Sequence, residues 1–265
     1  MIIDAHVHIG REPNEPESKY KDSLAQLLKE AKKNKVGKLV VITGDGPDSE
    51  NASTEQTLEL IKDLKNIYVV AGVDVSNHVN YDQLEGWLKN QKILGIKFYL
   101  GYRYFYPTDP RCKPIYELCQ KYNRPIIFHA GDTLGGIIEK PKIKYAHPIH
   151  IDEVATEYPD LKIIIAHLGN PWIWSTAEVI YKNPNVYADI SGLIIGKDHN
   201  NHYVKSVQRR IKELHAYVGK QKLIYGTDWD VCDMKRYIKF AKSLGFSKKD
   251  RQKLFYENAQ MLFRI

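Results

Sequence analysis

The sequence has no apolar run that approaches the roughly 20 residues of a membrane-spanning helix, so an integral membrane protein is not expected. The N-terminus also lacks the basic segment and long apolar stretch of a secretory signal, because His6 and His8 interrupt the only apolar residues there. A cytoplasmic location is therefore predicted. Internal repeats and low-complexity segments are absent as well, and we expect one domain over residues 1–265.

Cysteine is scarce, and its spacing argues against disulfide bonds. The chain has three cysteines, an odd number that does not suit a disulfide framework. Cys112 and Cys119 would lie about two turns apart on one helix, which is too far for a bridge. All three side chains are therefore predicted to be free thiols.

The chain also lacks a concentrated basic stretch, although its formal net charge is +7. Its lysines are spread through helix-like segments beside glutamates and aspartates, which is typical of a solvated surface. A nucleic-acid partner is therefore not expected, since such a partner needs a clustered basic face. The positive field would still attract a small anionic molecule such as a carboxylate.

Short apolar, β-branched runs alternate with helix-like segments along the whole chain. Strands are predicted at 2–8, 38–43, 67–73, 94–99, 125–129, 162–167, 186–191 and 222–227. Helices are predicted at 20–34, 54–65, 81–90, 112–122, 148–158, 172–182, 203–218, 234–244 and 248–263. This alternation favours an α/β protein of the (β/α)8 TIM-barrel type. A doubly wound open sheet is the second interpretation, and it lacks the glycine-rich phosphate loop after the first strand.

The first strand carries two histidines two residues apart. Because side chains alternate across a strand, His6 and His8 are expected to face one side, with Asp4 behind them. The opposite face is predicted to hold Ile3, Ala5 and Val7. Two imidazoles on one face can reach one metal ion, but a purely structural histidine pair gives the same pattern. Further ligands must therefore come from the rest of the chain.

Residues that can bind a metal also lie at the ends of three other predicted strands: His129 and His167 end theirs, and Asp228 directly follows the strand at 222–227. The carboxyl ends of barrel strands form the end where active sites lie, so these side chains should meet those of the first strand. Buried polar groups are costly unless something binds them, and a metal ion would satisfy this set.

Taken in order, these motifs resemble the amidohydrolase superfamily. The matching stretches are Asp4-Ala5-His6-Val7-His8, His129, Ile165-Ala166-His167-Leu168-Gly169 and Tyr225-Gly226-Thr227-Asp228-Trp229. Within the superfamily they are similar to the branch that includes aminocarboxymuconate-semialdehyde decarboxylase. The resemblance implies a TIM barrel of the metal-dependent hydrolase type and a homodimer.

The resemblance also implies the ligands and the chemistry. It implies one divalent metal ion, zinc, bound by His6, His8, His129 and Asp228, a set that manganese, iron or cobalt also accepts. An open position on the metal would hold a water of pKa near 7, Asp228 would relay its proton, and His167 would polarise the substrate or orient the water. The predicted reaction is hydrolysis of an amide, ester or lactone of a small molecule. The alternative is nonoxidative decarboxylation of an unsaturated or aromatic acid.

Lys97 is the first of five predicted substrate contacts, because it shares strand parity with Gly95 and should point into the barrel. It is expected to pair with Asp4 or to bind a substrate carboxylate. In some members of the superfamily a carbamylated lysine on the fourth strand bridges two metal ions, and Lys97 is a candidate for that part as well.

The other four predicted contacts follow strand ends: Tyr99, Arg103, His147 and Ser191. Tyr99 and Arg103 would grip an aromatic ring or a carboxylate, or only form the rim of the barrel. His147 would lie on a flap formed by the loop 130–147, or simply precede a helix. Ser191 and Asp189 would contact the substrate or brace the metal ligands.

Overall fold

The computed structural model describes residues 1–134, 140–195, 201–219 and 221–265. Within these residues, eight parallel strands pair in chain order in one sheet. They are β1 Ile3–Val7, β2 Lys38–Ile42, β3 Ile67–Gly72, β4 Ile93–Phe98, β5 Ile126–Phe128, β6 Ile163–Ile165, β7 Val186–Asp189 and β8 Leu223–Ile224. The sheet closes where Ala5 N donates to Tyr225 O at 3.0 Å and Asp228 N donates to His6 O at 2.8 Å. The predicted (β/α)8 TIM barrel is confirmed.

Helices follow the strands along the chain. They are α1 Lys19–Asn34, α2 Thr54–Leu60, α3 Tyr81–Lys89, α4 Lys113–Lys121, α5 His150–Glu157, α6 Ile173–Lys182, α7 Asn201–Val218, α8 Met234–Lys242, α9 Lys248–Gln252 and α10 Asn258–Phe263. A π-helical turn, Lys253–Glu257, joins α9 to α10, so the last predicted helix consists of three consecutive segments. Capping defines several helix starts: Ser53 and Gln56 form a capping box at α2, and Asp233 accepts from Arg236 N at α8. Over the described parts of the chain, no helix combines the length and the apolar character needed to cross a bilayer.

The buried apolar residues form two clusters. The larger one includes Val41, Val69 and Phe98 and fills the space between the strands and the helices. The smaller one lies inside the barrel and contains residues of seven strands together with residues of α10. The barrel is therefore packed through its interior at the end where α10 lies, and this leaves the opposite, carboxyl end of the strands for a pocket.

Strand β1 does not alternate as the sequence predicted. Ile3 and Ala5 belong to the interior cluster, whereas Val7 belongs to the outer one. The pairing of β1 with β2 shifts register between Asp4 and Val7, which accounts for the change of face. The prediction that Ile3, Ala5 and Val7 share one face is therefore wrong.

Candidate metal centre

His6 and His8 of β1 both face Asp228, which follows β8. The Nε2 atoms of His6 and His8 lie 3.5 and 3.2 Å from Oδ1 of Asp228. The Nδ1 atom of His8 lies 2.9 Å from the carbonyl oxygen of Ile42. Because a carbonyl oxygen only accepts, Nδ1 of His8 carries a hydrogen, and its Nε2 is the ring nitrogen that faces Asp228. The two histidines therefore converge on one carboxylate, as the sequence predicted.

His167 lies in a short turn after β6 and completes this group. Donor atoms of His6, His167 and Asp228 all lie within 4.8 Å of one another. His167 and Asp228 have φ angles of 57° and 66°, in the left-handed region that non-glycine residues rarely adopt. Such backbone strain is concentrated at functional sites, where it is compensated by the surrounding structure.

His129 follows β5 and lies beside the same group. Its ring centroid is 4.9 Å from that of His167 and 4.8 Å from that of Tyr102. Its Nε2 lies 2.9 Å from the carbonyl oxygen of Asp132, so this nitrogen contacts the following loop. The three residues whose potential ligand atoms lie close together therefore include His167 and not His129. The role of His129 as a metal ligand stays a prediction.

Burial sets the protonation of these groups. Burial first, and then the positive charge of Lys97, lowers the pKa of His6 to about 4, so its imidazole is neutral at pH 7. Burial also lowers the pKa of His129 and of His167. For Asp228, burial alone would raise the pKa, but the neighbouring histidines hold it well below its usual value. Neutral imidazoles and an ionised carboxylate are the forms that bind a metal ion.

Lys97 of β4 points into the barrel, as its parity predicted. Its side chain is fully buried, and no described residue makes a hydrogen bond with Nζ, which lies 5.3 Å from the ring centroid of Tyr99. Burial lowers the pKa of Lys97 to about 8, although Asp189 and Asp228 oppose this shift. The site thus contains a buried amine that makes no hydrogen bond with any residue that the structure describes.

Tyr99 and Arg103 line the same pocket, but their polar groups already have partners. The hydroxyl of Tyr99 donates to the carbonyl oxygen of Thr43 at 2.7 Å. The guanidinium of Arg103 makes paired hydrogen bonds with Asp45, both at 2.9 Å, and with Asp48, at 2.7 and 2.6 Å. These contacts compensate the charge of Arg103 within the protein.

The last two predicted contacts lie away from the open pocket. The ring centroid of His147 is 4.6 Å from that of Trp172, and its Nδ1 accepts from Ile149 N. Residues 135–139 of the loop predicted as a flap lie outside the described residues. The hydroxyl of Ser191 is fully buried, 2.9 Å from Nδ1 of His167 and 3.1 Å from Nδ1 of His6. Ser191 therefore lies behind the two histidines.

A family model described as "Amidohydrolase" matches residues 3–265. The chain belongs to the amidohydrolase family. This confirms the resemblance recognised in the sequence motifs. Its curated relatives include a decarboxylase and an uncharacterized metal-dependent hydrolase.

Three relatives illustrate this range. A γ-resorcylate decarboxylase of Polaromonas sp. is 25% identical over 215 residues, which cover 70% of this chain and 56% of that protein. The chain thus spans little more than half of the decarboxylase. An uncharacterized metal-dependent hydrolase of Bacillus subtilis is 26% identical over 247 residues, 81% of this chain and 91% of that one. The structure of a probable 2-pyrone-4,6-dicarboxylic acid hydrolase of Acinetobacter baumannii superposes with a TM-score of 0.73 at 17% identity, covering 100% and 99% of the two chains.

The pocket of this amidohydrolase contains residues that sequence reasoning missed. Its volume is about 150 Å³, and the loop after β2 contributes Asp45, Asp48, Ser49, Glu50 and Asn51 to its wall. Asp230 and Val231 come from the loop after β8, and Tyr102 and Leu134 from the loops after β4 and β5. The polar run 44–51 directly follows strand β2. The rule that active-site residues lie at the carboxyl ends of barrel strands identified the histidines, and it would have identified this run too.

The spacing of His6, His8 and Asp228 fits a divalent metal ion. Zinc at about 2.0–2.2 Å from imidazole and carboxylate ligands in a tetrahedral site places neighbouring donor atoms about 3.3–3.5 Å apart. The two distances from Asp228 to the histidines of β1, 3.2 and 3.5 Å, are close to that value. The side chains are also imidazoles and one carboxylate, which suit a divalent ion.

Proposed function

We propose that this amidohydrolase is a metal-dependent hydrolase that cleaves an amide, ester or lactone in a small carboxylate-bearing molecule. One divalent ion, zinc, would be held by His6, His8, His129 and Asp228. The observation that carries the proposal is the convergence of His6, His8 and His167 on one buried carboxylate, Asp228, at the open end of the barrel. When bound, the ion would lower the pKa of a water molecule and so supply the nucleophile.

The chain's own residues would perform the remaining steps. Asp228 is ionised and can accept a proton from the attacking water at a carboxylate oxygen, then deliver it to the leaving group. Nδ1 of His167 lies 4.0 Å from Oδ2 of Asp228, so His167 is near enough to orient the water that Asp228 deprotonates. These are the two roles that the sequence motifs implied for the catalytic pair.

Lys97 would bind the carboxylate of the substrate. Its Nζ is the buried donor of this pocket for which no described residue supplies a hydrogen-bond partner. An unsatisfied buried amine is costly, and a substrate carboxylate would supply the missing acceptor and the opposite charge. Arg103 is less suited to this role because Asp45 and Asp48 occupy its guanidinium.

The proposal is tested first by metal content. Protein purified without chelator or nickel resin should contain one equivalent of metal per chain, and His6→Ala and Asp228→Ala variants should lose it. Absence of metal after reconstitution with zinc, manganese, iron and cobalt would contradict the proposal. Two equivalents would contradict a mononuclear site and favour a carbamylated, bridging Lys97.

The reaction is tested on the loaded enzyme with a panel of small esters, amides and lactones that carry one carboxylate. His167→Ala should abolish turnover while the metal stays bound, because His167 is not among the proposed ligands. The second candidate function, nonoxidative decarboxylation, is favoured by the γ-resorcylate decarboxylase relative. Release of carbon dioxide from aromatic carboxylic acids, without hydrolysis of any panel member, would select it.

A further inference from the structure

Asp189, the last residue of β7, lies behind the candidate metal centre and is only 1% exposed. Its Oδ2 lies 2.9 Å from Nδ1 of His6. Its Oδ1 accepts from His167 N at 2.9 Å, from Ser191 N at 3.0 Å and from the Ser191 hydroxyl at 2.5 Å. One buried carboxylate therefore contacts the ring of His6, a candidate metal ligand, and the backbone of His167, the candidate catalytic residue.

The carboxylate is ionised in this environment. Its Oδ1 accepts from two backbone N–H groups and one hydroxyl, and hydrogen bonds of this kind stabilise the charged form of a carboxylate. An ionised carboxylate accepts hydrogen bonds and donates none. Every polar atom in contact with it must therefore provide a hydrogen.

This requirement fixes the tautomer of His6. Nδ1 of His6 must carry the ring hydrogen, because its partner is an oxygen of Asp189. A neutral imidazole has one ring hydrogen, so Nε2 of His6 keeps its lone pair. That nitrogen is the one that faces Asp228. Asp189 thus leaves Nε2 of His6 with a lone pair that can bind the proposed metal.

The same requirement reaches His167 through Ser191. The Ser191 hydroxyl gives its hydrogen to Asp189, so its oxygen can only accept from Nδ1 of His167, 2.9 Å away. The carbonyl oxygen of Ser191, 3.2 Å from the same nitrogen, also only accepts. Nδ1 of His167 therefore carries the hydrogen, and its Nε2 is left as an acceptor that can orient a water.

We propose that Asp189 is a positioning residue that sets the tautomers of His6 and His167 together, so that both present an unprotonated Nε2 at the active centre. For its effect on metal binding, this inference rests on the proposed function. The tautomers themselves follow from the hydrogen bonds of the protein alone. A carboxylate that orients a ligating histidine through its other ring nitrogen commonly affects metal affinity 10–100-fold.

The variant Asp189→Asn gives a sharp test because the amide has one acceptor end and one donor end. Three donors surround the Oδ1 side, from His167 N, Ser191 N and the Ser191 hydroxyl, so the amide oxygen must occupy that side. The amide nitrogen then faces Nδ1 of His6. His6 must move its hydrogen to Nε2 in order to accept this bond, and that removes the lone pair from the metal side.

The measurement is the tautomer of each histidine in metal-free, ¹⁵N-histidine-labelled protein, by long-range ¹H–¹⁵N correlation spectra. Signals are assigned with His6→Gln and His167→Gln variants. In the wild type, both histidines should give the Nδ1–H pattern. In Asp189→Asn, the His6 signal should switch to the Nε2–H pattern, and zinc affinity in competition with a chromophoric chelator should fall 10–100-fold.

Ser191→Ala is the matched control, since it removes a hydroxyl from the same cluster but keeps the contact between Asp189 and His6. The tautomer of His6 should then be unchanged. The zinc affinity should stay within about threefold of wild type, a smaller change than the 10–100-fold effect expected for a ligand-orienting carboxylate. An Nε2–H signal for His6 or His167 in the wild type would overturn the inference even if Asp189→Asn fails to fold. Unchanged affinity in a folded Asp189→Asn would also overturn it. Wild-type protein with the expected tautomers but no metal would overturn the proposed function alone.

Discussion

Gly192 lies so close to Asp228 that a β-carbon at this position would be 2.7 Å from Oδ2 of the carboxylate. The same β-carbon would be 2.8 Å from Nδ1 of His167. Gly192 also has a φ of +67°, which side chains other than glycine rarely adopt. The turn after β7 therefore needs glycine for two independent reasons, and the steric one concerns the candidate centre.

Gly192→Ala should accordingly displace His167 or Asp228. Turnover or metal affinity should fall at least about tenfold, the lower end of the effect seen when groups that hold a metal ligand in place are changed. Gly86→Ala is the matched control, because a β-carbon at Gly86 of α3 would meet nothing within 4 Å. That substitution should leave activity unchanged and stabilise the fold by about 0.5–1 kcal/mol through helix propensity. Metal titration and urea unfolding of both variants measure these effects. Wild-type metal affinity and turnover in Gly192→Ala would contradict the close packing.

Lys97→Met should change how stability depends on pH in metal-free protein. The pKa of Lys97 falls from 10.5 in the unfolded chain to about 8 in the fold, so the folded state binds fewer protons between these values. Stability therefore rises with pH from about 8 to 10.5, and the gain is lost as pH falls toward 8. Summed over this window, the contribution of Lys97 is on the order of 3 kcal/mol.

The measurement for Lys97 is urea unfolding with chelator present, at several pH values from 7 to 11. The difference in free energy of unfolding between wild type and Lys97→Met removes the contribution of the other lysines, which titrate in both proteins. Wild type should gain stability relative to the variant as pH rises through the window. A difference that stays flat would show that Lys97 keeps its ordinary pKa in the fold.

Arg103→Ala should destabilise the protein by about 3 kcal/mol, because it leaves buried carboxylates without their cation. The side chains of Asp45 and Asp74 are only 6% and 3% exposed, and they lie 2.9 and 3.3 Å from the guanidinium. Asp48→Ala is the comparison, since Asp48 is 56% exposed and should cost less than about 1 kcal/mol. Equal effects of the two substitutions on the urea midpoint would contradict this ranking.

The thiols should be unreactive in the folded protein. Burial raises the pKa of Cys112 and Cys119 to about 12, and it raises the pKa of Cys232 as well. The nucleophilic thiolate is therefore rare at pH 8, and the side chains are inaccessible. A thiol reagent should label none of the three within an hour in native protein and all three in guanidinium chloride. Rapid labelling of a native thiol would show local opening around it.

The strand-end rule predicts much of the candidate site from the order of residues along the chain. His6 and His8 face Asp228, and Lys97 points inward, because position and parity along a strand determine which side a residue occupies. The same parity argument was wrong for Ile3, Ala5 and Val7, since the register shift in β1 depends on its pairing with β2. Strand ends were also predicted too long, as in β8, where the residues after Ile224 leave the regular ladder.

The sequence by itself determined the barrel and the family, because periodicity and strand-end chemistry are local properties of the chain. It also predicted candidate metal ligands. Only the tertiary structure decided which polar side chains of the pocket already have hydrogen-bond or ion-pair partners within the protein. Arg103 is compensated by Asp45, 58 residues away, and His6 is oriented by Asp189, 183 residues away. Barrel closure creates such contacts between distant positions. Among the described residues, they provide hydrogen-bond acceptors for Arg103 but none for Nζ of Lys97.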